Sequence, residues 1–300
     1  MSAERPTFAE RPMSAERAAF AERPMFAERM VEAVERTGPL CAGIDPSHEL
    51  LAAWGLPDDV VGLRAFALGC IEAFAGAVPV VKPQVAFFER HGAAGMKVLE
   101  ELIAEAGRAG LLVVGDAKRG DIATTVAAYA DAWLGGESPL AVDAVTALPY
   151  MGLGSLQPLV DTARRYGRGV LVVVRGSNPE GRPLQEASTV GGASVEDTLL
   201  EGVARWNEEE PGPLGSVGVV VGATLAPSGF SLSQLKGIVL APGVGAQGAG
   251  PAQVARLFAG CPPGTVLPSS SRSVLACGPD PTALRNAAVQ ARDAMAEVLR

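Results

Sequence analysis

The sequence is poor in aromatic residues, histidine and positive charge. Aromatic residues make up only 5% of the chain, so alanine, valine and leucine must fill most of any core. The net charge of −8 argues against nucleic-acid binding, which usually requires a strongly basic surface. An anionic small-molecule ligand would therefore need a local pocket of positive charge.

The sequence also lacks the patterns of a structural zinc site, a disulfide framework and a membrane span. The two histidines, His48 and His91, are far apart, and the four cysteines show no Cys-x-x-Cys spacing. We expect the cysteines to be reduced, mostly buried thiols. No apolar run reaches the ~18 residues of a membrane-spanning helix, and the charged N-terminus contains no apolar signal segment. These absences predict a cytoplasmic protein without a metal site or membrane anchor.

An imperfect tandem repeat forms the N-terminus. Residues 1–12 read MSAERPTFAERP, residues 13–24 read MSAERAAFAERP, and a partial third copy begins at Met25. The repeat is too short for a solenoid unit, and its prolines would interrupt a continuous helix. We expect residues 1–25 to be a poorly ordered extension without a functional site, with Met13 or Met25 as alternative start sites, and residues 26–300 to form the folded domain.

From residue 26 onward, short apolar strands alternate with Ala- and Leu-rich helical segments. Continuous apolar strands joined by helices are typical of a parallel sheet covered on both faces. Eight such units predict a single α/β domain, a closed (β/α)8 TIM barrel. An open doubly wound sheet is the alternative, although it often carries Gly-x-Gly-x-x-Gly after a first strand that here ends in Gly-Ile-Asp-Pro. The predicted strands cover residues 40–45, 78–84, 111–118, 142–148, 170–177, 217–224, 238–245 and 266–272.

The third predicted strand ends in Asp116-Ala-Lys118-Arg-Gly-Asp121. Side chains two residues apart in a strand point the same way, so Asp116 and Lys118 should share one face. Gly120 would let the chain turn before Asp121. A lysine between two carboxylates stays protonated, which makes it a poor nucleophile but a good proton donor to a developing carbanion. The pattern predicts an acid–base site at the barrel mouth, and an exposed ion-pair cluster is the alternative.

A glycine-rich segment and an arginine follow the last two predicted strands. Gly243, Gly245 and Gly248 lie in the sequence Pro-Gly-Val-Gly-Ala-Gln-Gly, where backbone N–H groups could converge on an anion. Arg272 can bind phosphate oxygens through two parallel hydrogen bonds. Because barrels often bind phosphate at the loops after strands seven and eight, we expect a phosphate site here, with an ordinary flexible loop as the alternative.

Several of these motifs resemble one known family. Asp116-Ala-Lys118-Arg-Gly-Asp121-Ile closely resembles the signature of the orotidine 5′-phosphate decarboxylase family, in its bacterial type 2 branch. The resemblance runs from about residue 38 to the C-terminus and departs at Arg175-Gly176, where a threonine would be expected beside the following serine. Further matching stretches occur in the expected order: Val81-Lys82-Pro83-Gln84, Ser177-Asn178-Pro179, and the glycine-rich loop followed by Ser271-Arg272.

The resemblance implies decarboxylation of orotidine 5′-phosphate to uridine 5′-monophosphate and CO₂ in de novo pyrimidine biosynthesis, without a cofactor or metal. Lys118 would protonate C6 of the pyrimidine, and Asp116 would lie against the substrate carboxylate. Asp121 and Thr125 would reach the active site of a neighbouring subunit in a homodimer. The other implied contacts are Asp45 and Lys82 to the ribose, Ser177 to the pyrimidine amide, and Gln247 and Arg272 to the 5′-phosphate.

Other interpretations fit part of the sequence. Mg²⁺-dependent sugar-phosphate decarboxylases or aldolases of the same barrel group share the Asp-x-Lys-x-x-Asp pattern, but they have an acidic residue where this chain has Lys82, which would repel a cation. A phosphate-ligand binding protein would not need Lys118 and both aspartates. A flavin-phosphate or indole-type barrel enzyme would not require the third-strand motif. Residues 179–195 are rich in Gly, Pro, Ser and Thr and could form a lid or a disordered insertion.

Overall fold

The computed structural model describes residues 24–176, 178–224, 231–245 and 248–299. Within these residues, eight parallel strands pair in sequence order and the eighth pairs with the first, which closes a barrel. The predicted (β/α)8 barrel is therefore confirmed, and the open sheet is excluded. The strands are β1 (Cys41–Ile44), β2 (Val80–Pro83), β3 (Leu112–Arg119), β4 (Ala144–Ala147), β5 (Gly169–Arg175), β6 (Val217–Val221), β7 (Val239–Pro242) and β8 (Val266–Ser270).

Helices connect the strands and cover the outside of the barrel. In the described parts of the chain, none of them is long and apolar enough to cross a membrane. The helices are α1 (Phe26–Thr37), α2 (His48–Ala53), α3 (Val60–Phe74), α4 (Ala86–Glu89), α5 (Gly92–Arg108), α6 (Ala123–Leu134), α7 (Gln157–Tyr166), α8 (Arg182–Gln185), α9 (Val195–Glu208), α10 (Pro251–Leu257), α11 (Arg272–Leu275) and α12 (Pro281–Ala296).

The barrel interior holds an apolar layer that is separate from the outer core between strands and helices. Alternate residues of a strand point to opposite faces, so each strand contributes to both layers. The interior layer comprises mainly Cys41, Val80, Val114, Ala144, Leu171, Val220, Leu240 and Leu267. Because this layer is apolar and buried, polar chemistry is confined to the ends of the strands.

Helix α1 closes the N-terminal end of the barrel. Phe26, Ala27 and Met30 belong to the same buried cluster as the interior residues of the strands. Gly169, at the start of β5, leaves room for this helix, since an added Cβ there would lie 2.3 Å from the ring of Phe26. The extension predicted for residues 1–25 lies outside the described residues apart from Pro24 and Met25.

The cysteines are all free. Cys41 and Cys70 are buried, Cys261 is half-buried and Cys277 is exposed, so the expected burial holds for only two of the four. Burial raises the pKa of the Cys41 thiol to about 12. That thiol is therefore an inert, protonated part of the interior layer.

Candidate active site

Polar side chains follow directly on the interior apolar layer at the C-terminal ends of several strands. Because side chains alternate along a strand, Lys82 and Asp116 point into the barrel like Val80 and Val114, which lie two positions before them. Ala144 on β4 is followed in the same way by Thr146. These polar residues are all buried, with Thr146 only 1% exposed. Strand geometry alone thus gathers a lysine, an aspartate and a threonine at one end of the barrel.

The gathered side chains line a cavity of about 310 Å³. This volume lies within the range of small-molecule sites, which is about 300–1,000 Å³. Asp45, Lys118 and Arg272 line the same cavity, so the structure brings the predicted strand-three site and the predicted phosphate arginine together. The apolar part of its wall comes from Val173, Val220, Leu240 and Val244.

Asp116 is the centre of the charged cluster. Its Oδ2 accepts hydrogen bonds from Lys82 Nζ at 2.9 Å and from the side-chain amide of Gln84 at 3.0 Å. Its Oδ1 accepts from Lys118 Nζ at 2.6 Å and from the hydroxyl of Thr146 at 2.9 Å. With four donors on a side chain that is 9% exposed, the carboxylate is fixed in place.

The two lysines keep this carboxylate ionised. Burial alone would raise the pKa of Asp116, but the ammonium groups of Lys82 and Lys118 outweigh it and hold that pKa below its ordinary range. Burial also opposes the charge on Lys82, yet attraction to Asp116 and Asp45 raises the pKa of Lys82 above its ordinary value. Both groups are charged at neutral pH. The Lys118 side chain is 44% exposed, so a ligand in the cavity can reach its ammonium group.

The backbone at the end of β3 departs from a regular strand. Lys118 has a φ of 47°, in the left-handed region that residues other than glycine rarely adopt. The register between β3 and β4 shifts between Gly115 and Arg119, as at a β-bulge. Gly120 packs so closely on the loop after β4 that an added Cβ would lie 2.2 Å from the carbonyl oxygen of Leu148.

Asp121 follows this irregular ending and forms no ion pair with Lys118 within the described part of the same chain. The Oδ1 atom of Asp121 accepts a hydrogen bond from the N–H of Ile122 at 2.6 Å. Within the described residues of one chain, Lys118 forms its ion pair with Asp116 and none with Asp121. The charge order inside one chain is therefore Lys82–Asp116–Lys118, and not the aspartate–lysine–aspartate order expected from the sequence. Asp121 and Thr125 are half-buried and are not among the described residues that line the cavity.

Asp45 brings an acceptor to the cavity from the end of β1. Its Oδ1 atom is buried and has no hydrogen-bond partner among the described residues. An unpaired buried carboxylate oxygen is energetically costly. A ligand hydroxyl would supply the missing donor.

The loops after β7 and β8 meet at the cavity. Gly243, Gly245 and Gly248 have φ values of 100°, 79° and 98°, so all three adopt conformations that favour glycine. An added Cβ at Gly245 would lie 2.8 Å from the hydroxyl of Ser273, next to Arg272. Gly245 N–H donates to the carbonyl of Ala249 at 3.1 Å, and Gly248 N–H donates to the carbonyl of Gly245 at 2.9 Å. These two N–H groups are therefore bound within the loop. Among the described residues on this side of the cavity, Arg272 supplies the positive charge.

Two predicted contacts, Ser177 and Gln247, lie outside the described residues. Sequence reasoning places Thr146 among the polar residues at the strand ends without giving it a role, and it names neither Gln84 nor Asn178 as a site residue, although all three line the cavity. Gln84 follows Lys82 by two positions, so strand alternation could have found it. Asn178 carried no such signal, because it lies beyond the end of β5.

The segment after β5 is folded against the end of that strand. It contains a 3₁₀ turn (Pro179–Gly181) and helix α8. Arg175, which is 6% exposed, forms ion pairs with Glu186 at 3.0 Å and Glu196 at 2.9 Å. Gly176 N–H also donates to the side chain of Gln185 at 3.2 Å. These contacts anchor residues 179–195 beside the cavity.

The donor set of the cavity suits an anion. Lys82, Lys118 and Arg272 bring three cationic groups to it, against Asp45 and Asp116. In the ranges that the structure describes, no group of three or more His, Cys, Asp or Glu side chains is arranged to hold a metal ion. Fold and site together define a (β/α)8 barrel enzyme whose cavity combines an accessible lysine ammonium group with an arginine.

The chain belongs to the orotidine 5′-phosphate decarboxylase / HUMPS family, whose model matches residues 38–286. It is 52% identical over 256 residues to the orotidine 5′-phosphate decarboxylase of Salinispora arenicola, covering 85% of this chain and 91% of that protein. It is 53% identical over 257 residues to the enzyme of the same name from Streptomyces coelicolor, with the same coverage of both proteins. The family predicted from the sequence is confirmed, and these bacterial relatives agree with its bacterial branch.

A solved structure shares the whole fold. The crystal structure of a Streptomyces avermitilis protein described as an orotidine 5′-phosphate decarboxylase matches with a TM-score of 0.86 and 48% identity. The match covers 92% of this chain and 96% of that one. The barrel and its connections are therefore common to both proteins.

Proposed function

We propose that this chain decarboxylates orotidine 5′-phosphate to uridine 5′-monophosphate and CO₂ in pyrimidine biosynthesis, with Lys118 as the proton donor. The observation that carries the proposal is the 2.6 Å pairing of Lys118 Nζ with Asp116 in a cavity that also contains Arg272. The names of the bacterial relatives support the substrate. The four free cysteines fit a reducing compartment, and the proposal places the enzyme in the cytoplasm.

The chemistry follows from the charged cluster. The carboxylate on C6 of the pyrimidine binds beside Asp116, where like charges repel each other until CO₂ departs. The bond from C6 to the carboxylate breaks and its electron pair stays on C6. The ammonium group of Lys118 stabilises this developing carbanion and transfers a proton to it. The neutral amine then regains a proton from water, which restores the starting state.

The remaining cavity residues hold the rest of the nucleotide. Asp45 Oδ1, which lacks a donor in the described residues, accepts from a ribose hydroxyl, and Lys82 lies beside it. Arg272 binds the phosphate together with Gln247, and Ser177 binds the pyrimidine amide. This arrangement requires no metal, because charge on the reacting carbon is offset by an ammonium group.

An ultraviolet assay with orotidine 5′-phosphate, with and without EDTA, tests the reaction and its metal independence. We expect substrate conversion at the same rate in both samples, since Lys118 performs the role that a cation would have. Loss of activity in EDTA and its return with Mg²⁺ would favour the sugar-phosphate alternative. Absence of conversion in both samples would contradict the proposed substrate.

The proposal includes a homodimer in which Asp121 and Thr125 complete the partner's active site. Both residues lie next to an apolar rim made of Ile122, Tyr150, Met151 and Leu148, which are 58%, 79%, 58% and 39% exposed. The loops after β3 and β4 that carry this rim are joined by a hydrogen bond from Leu148 N–H to the Arg119 carbonyl at 2.8 Å. Clustered exposed apolar side chains are typical of an interaction surface, and a second copy would cover them.

Co-expression of two inactive variants tests the shared site. Lys118→Ala and Asp121→Asn should each be nearly inactive alone, but a mixed dimer contains one site in which both residues are native. Random pairing should therefore restore roughly a quarter of the wild-type sites. Co-expression of Asp121→Asn with the Lys118→Ala/Asp121→Asn double variant is the matched control and should restore none. No recovery in the first mixture, with dimers present, would contradict the shared site.

A further inference from the structure

Thr146 contacts both the backbone and the charged partner of the proton donor. Its hydroxyl oxygen accepts a hydrogen bond from Lys118 N–H at 2.9 Å and lies 2.9 Å from Asp116 Oδ1. A backbone N–H can only donate and an ionised carboxylate can only accept, so the hydroxyl proton must point to Asp116. Thr146 is 1% exposed; its bond to Asp116 is buried, and its bond to the N–H of Lys118 is partly buried.

These two bonds occur where the regular ladder between β3 and β4 fails. The register shifts between Gly115 and Arg119, and Lys118 adopts a φ of 47°. The N–H of Lys118 is bound by the side chain of Thr146 at this bulge. A left-handed lysine persists only where surrounding contacts hold it, since the conformation is unfavourable for a residue with a Cβ.

We propose that Thr146 is a positioning residue that holds the bulge at Lys118 and so aims the proton donor at the reacting carbon. The inference rests on the proposed decarboxylation. The bulge brings Lys118 Nζ back to 2.6 Å from Asp116 Oδ1, the same oxygen that Thr146 binds. Without the hydroxyl, the partly buried N–H of Lys118 and a carboxylate oxygen of Asp116 each lose a partner, and the bulge relaxes toward an extended strand. The lysine then moves relative to its substrate.

The change should appear in turnover and not in binding. Proton transfer depends on donor position to a fraction of an ångström, so Thr146→Val should lower kcat roughly 10- to 100-fold. Affinity for uridine 5′-monophosphate should stay within about threefold, because the ribose and phosphate contacts lie elsewhere in the cavity. Thr146→Ser keeps the hydroxyl and should keep kcat within about threefold of the wild type. Thr146→Ala is the second hydroxyl-free variant if valine prevents folding.

A matched control separates this role from stability. Thr265 is 2% exposed, lies beside the N-terminal end of β8, and donates its hydroxyl to the carbonyl of Pro262 at 2.6 Å. Thr265→Val removes a buried hydroxyl far from the cavity, so it should lower the thermal unfolding temperature but leave kcat unchanged. The positioning role is overturned if the hydroxyl-free variants keep wild-type kcat, or if Thr146→Ser loses as much activity as Thr146→Val.

A crystal structure of the Thr146→Val protein provides a readout that does not depend on the substrate. We expect Lys118 to leave the left-handed region and its Nζ atom to separate from Asp116. An unchanged Lys118 would overturn the inference, even if the wild type proved inactive on orotidine 5′-phosphate. Wild-type inactivity combined with the expected movement would contradict the proposed function alone.

Discussion

Replacement of Lys118 by alanine should abolish measurable decarboxylation while uridine 5′-monophosphate still binds. The lysine is proposed to stabilise the carbanion and to protonate it, and no other described lysine reaches Asp116 from the exposed side of the cluster. General acid catalysis contributes about 10²- to 10⁴-fold, and loss of electrostatic stabilisation costs about 10²- to 10³-fold more. We therefore expect kcat to fall at least ~10⁴-fold.

The binding result depends on what remains after the substitution. Asp116 keeps its bonds to Lys82 at 2.9 Å and Gln84 at 3.0 Å, so the carboxylate stays paired and in place. Product affinity, measured by calorimetry, should change by less than about tenfold because the phosphate contact is untouched. Lys97→Ala is the matched control, since Lys97 lies on the exposed face of α5 and pairs with Glu100. Substantial turnover by Lys118→Ala would refute the assigned role of this lysine.

Much of the fold could be predicted from the sequence, because barrel strands are buried on both faces and therefore read as short apolar runs. The same alternation that predicts Val114 inside the barrel also predicts that Asp116 faces the cavity. The predicted strand over residues 142–148 is longer than β4 (Ala144–Ala147), since apolar loop residues extend the pattern beyond the paired residues. The spacing of apolar residues and the composition of a segment thus show that a strand is present more accurately than they show where it begins and ends.

The irregular ending of β3 could not be predicted in the same way. Strand alternation treats Lys118 as one more inward residue, whereas its left-handed φ and the register shift depend on a partner, Thr146, that is 28 residues away. The pairing of Lys118 with Asp116, and not with Asp121, could therefore not be read from the strand pattern. Lys82 approaches Asp116 from a different strand, so the order of charges becomes visible only when the barrel closes.

The third copy of the N-terminal repeat shows a similar limit. Its phenylalanine, Phe26, is 1% exposed in the floor of the barrel, although the same Phe-Ala-Glu-Arg motif occurs in the preceding copies. The burial of Phe26 depends on its tertiary contact with Gly169, a residue far along the chain that the local sequence does not contain.

Arg272→Ala should weaken binding of the phosphorylated ligand strongly and binding of the bare nucleoside hardly at all. Arg272 begins α11 at the edge of the cavity, beside the loop that carries Gly245. Two charge-assisted hydrogen bonds from a guanidinium to a phosphate together justify an increase in KM of roughly 100-fold or more. The affinity for uridine should change less than about threefold, since the nucleoside has no group for this arginine to bind.

The expected loss of phosphate affinity is large because the N–H groups of Gly245 and Gly248 are already hydrogen-bonded within the glycine-rich loop. Gly245 and Gly248 direct their N–H groups to carbonyls inside the loop, so they cannot replace the lost guanidinium without breaking those bonds. Arg108→Ala is the matched control, because Arg108 is an exposed arginine at the far end of α5 that pairs with Glu105. Calorimetry with uridine 5′-monophosphate and uridine on both variants measures the difference. Equal losses for the two ligands in Arg272→Ala would mean that the arginine shapes the cavity and does not bind phosphate, and the anion site would then have to lie elsewhere.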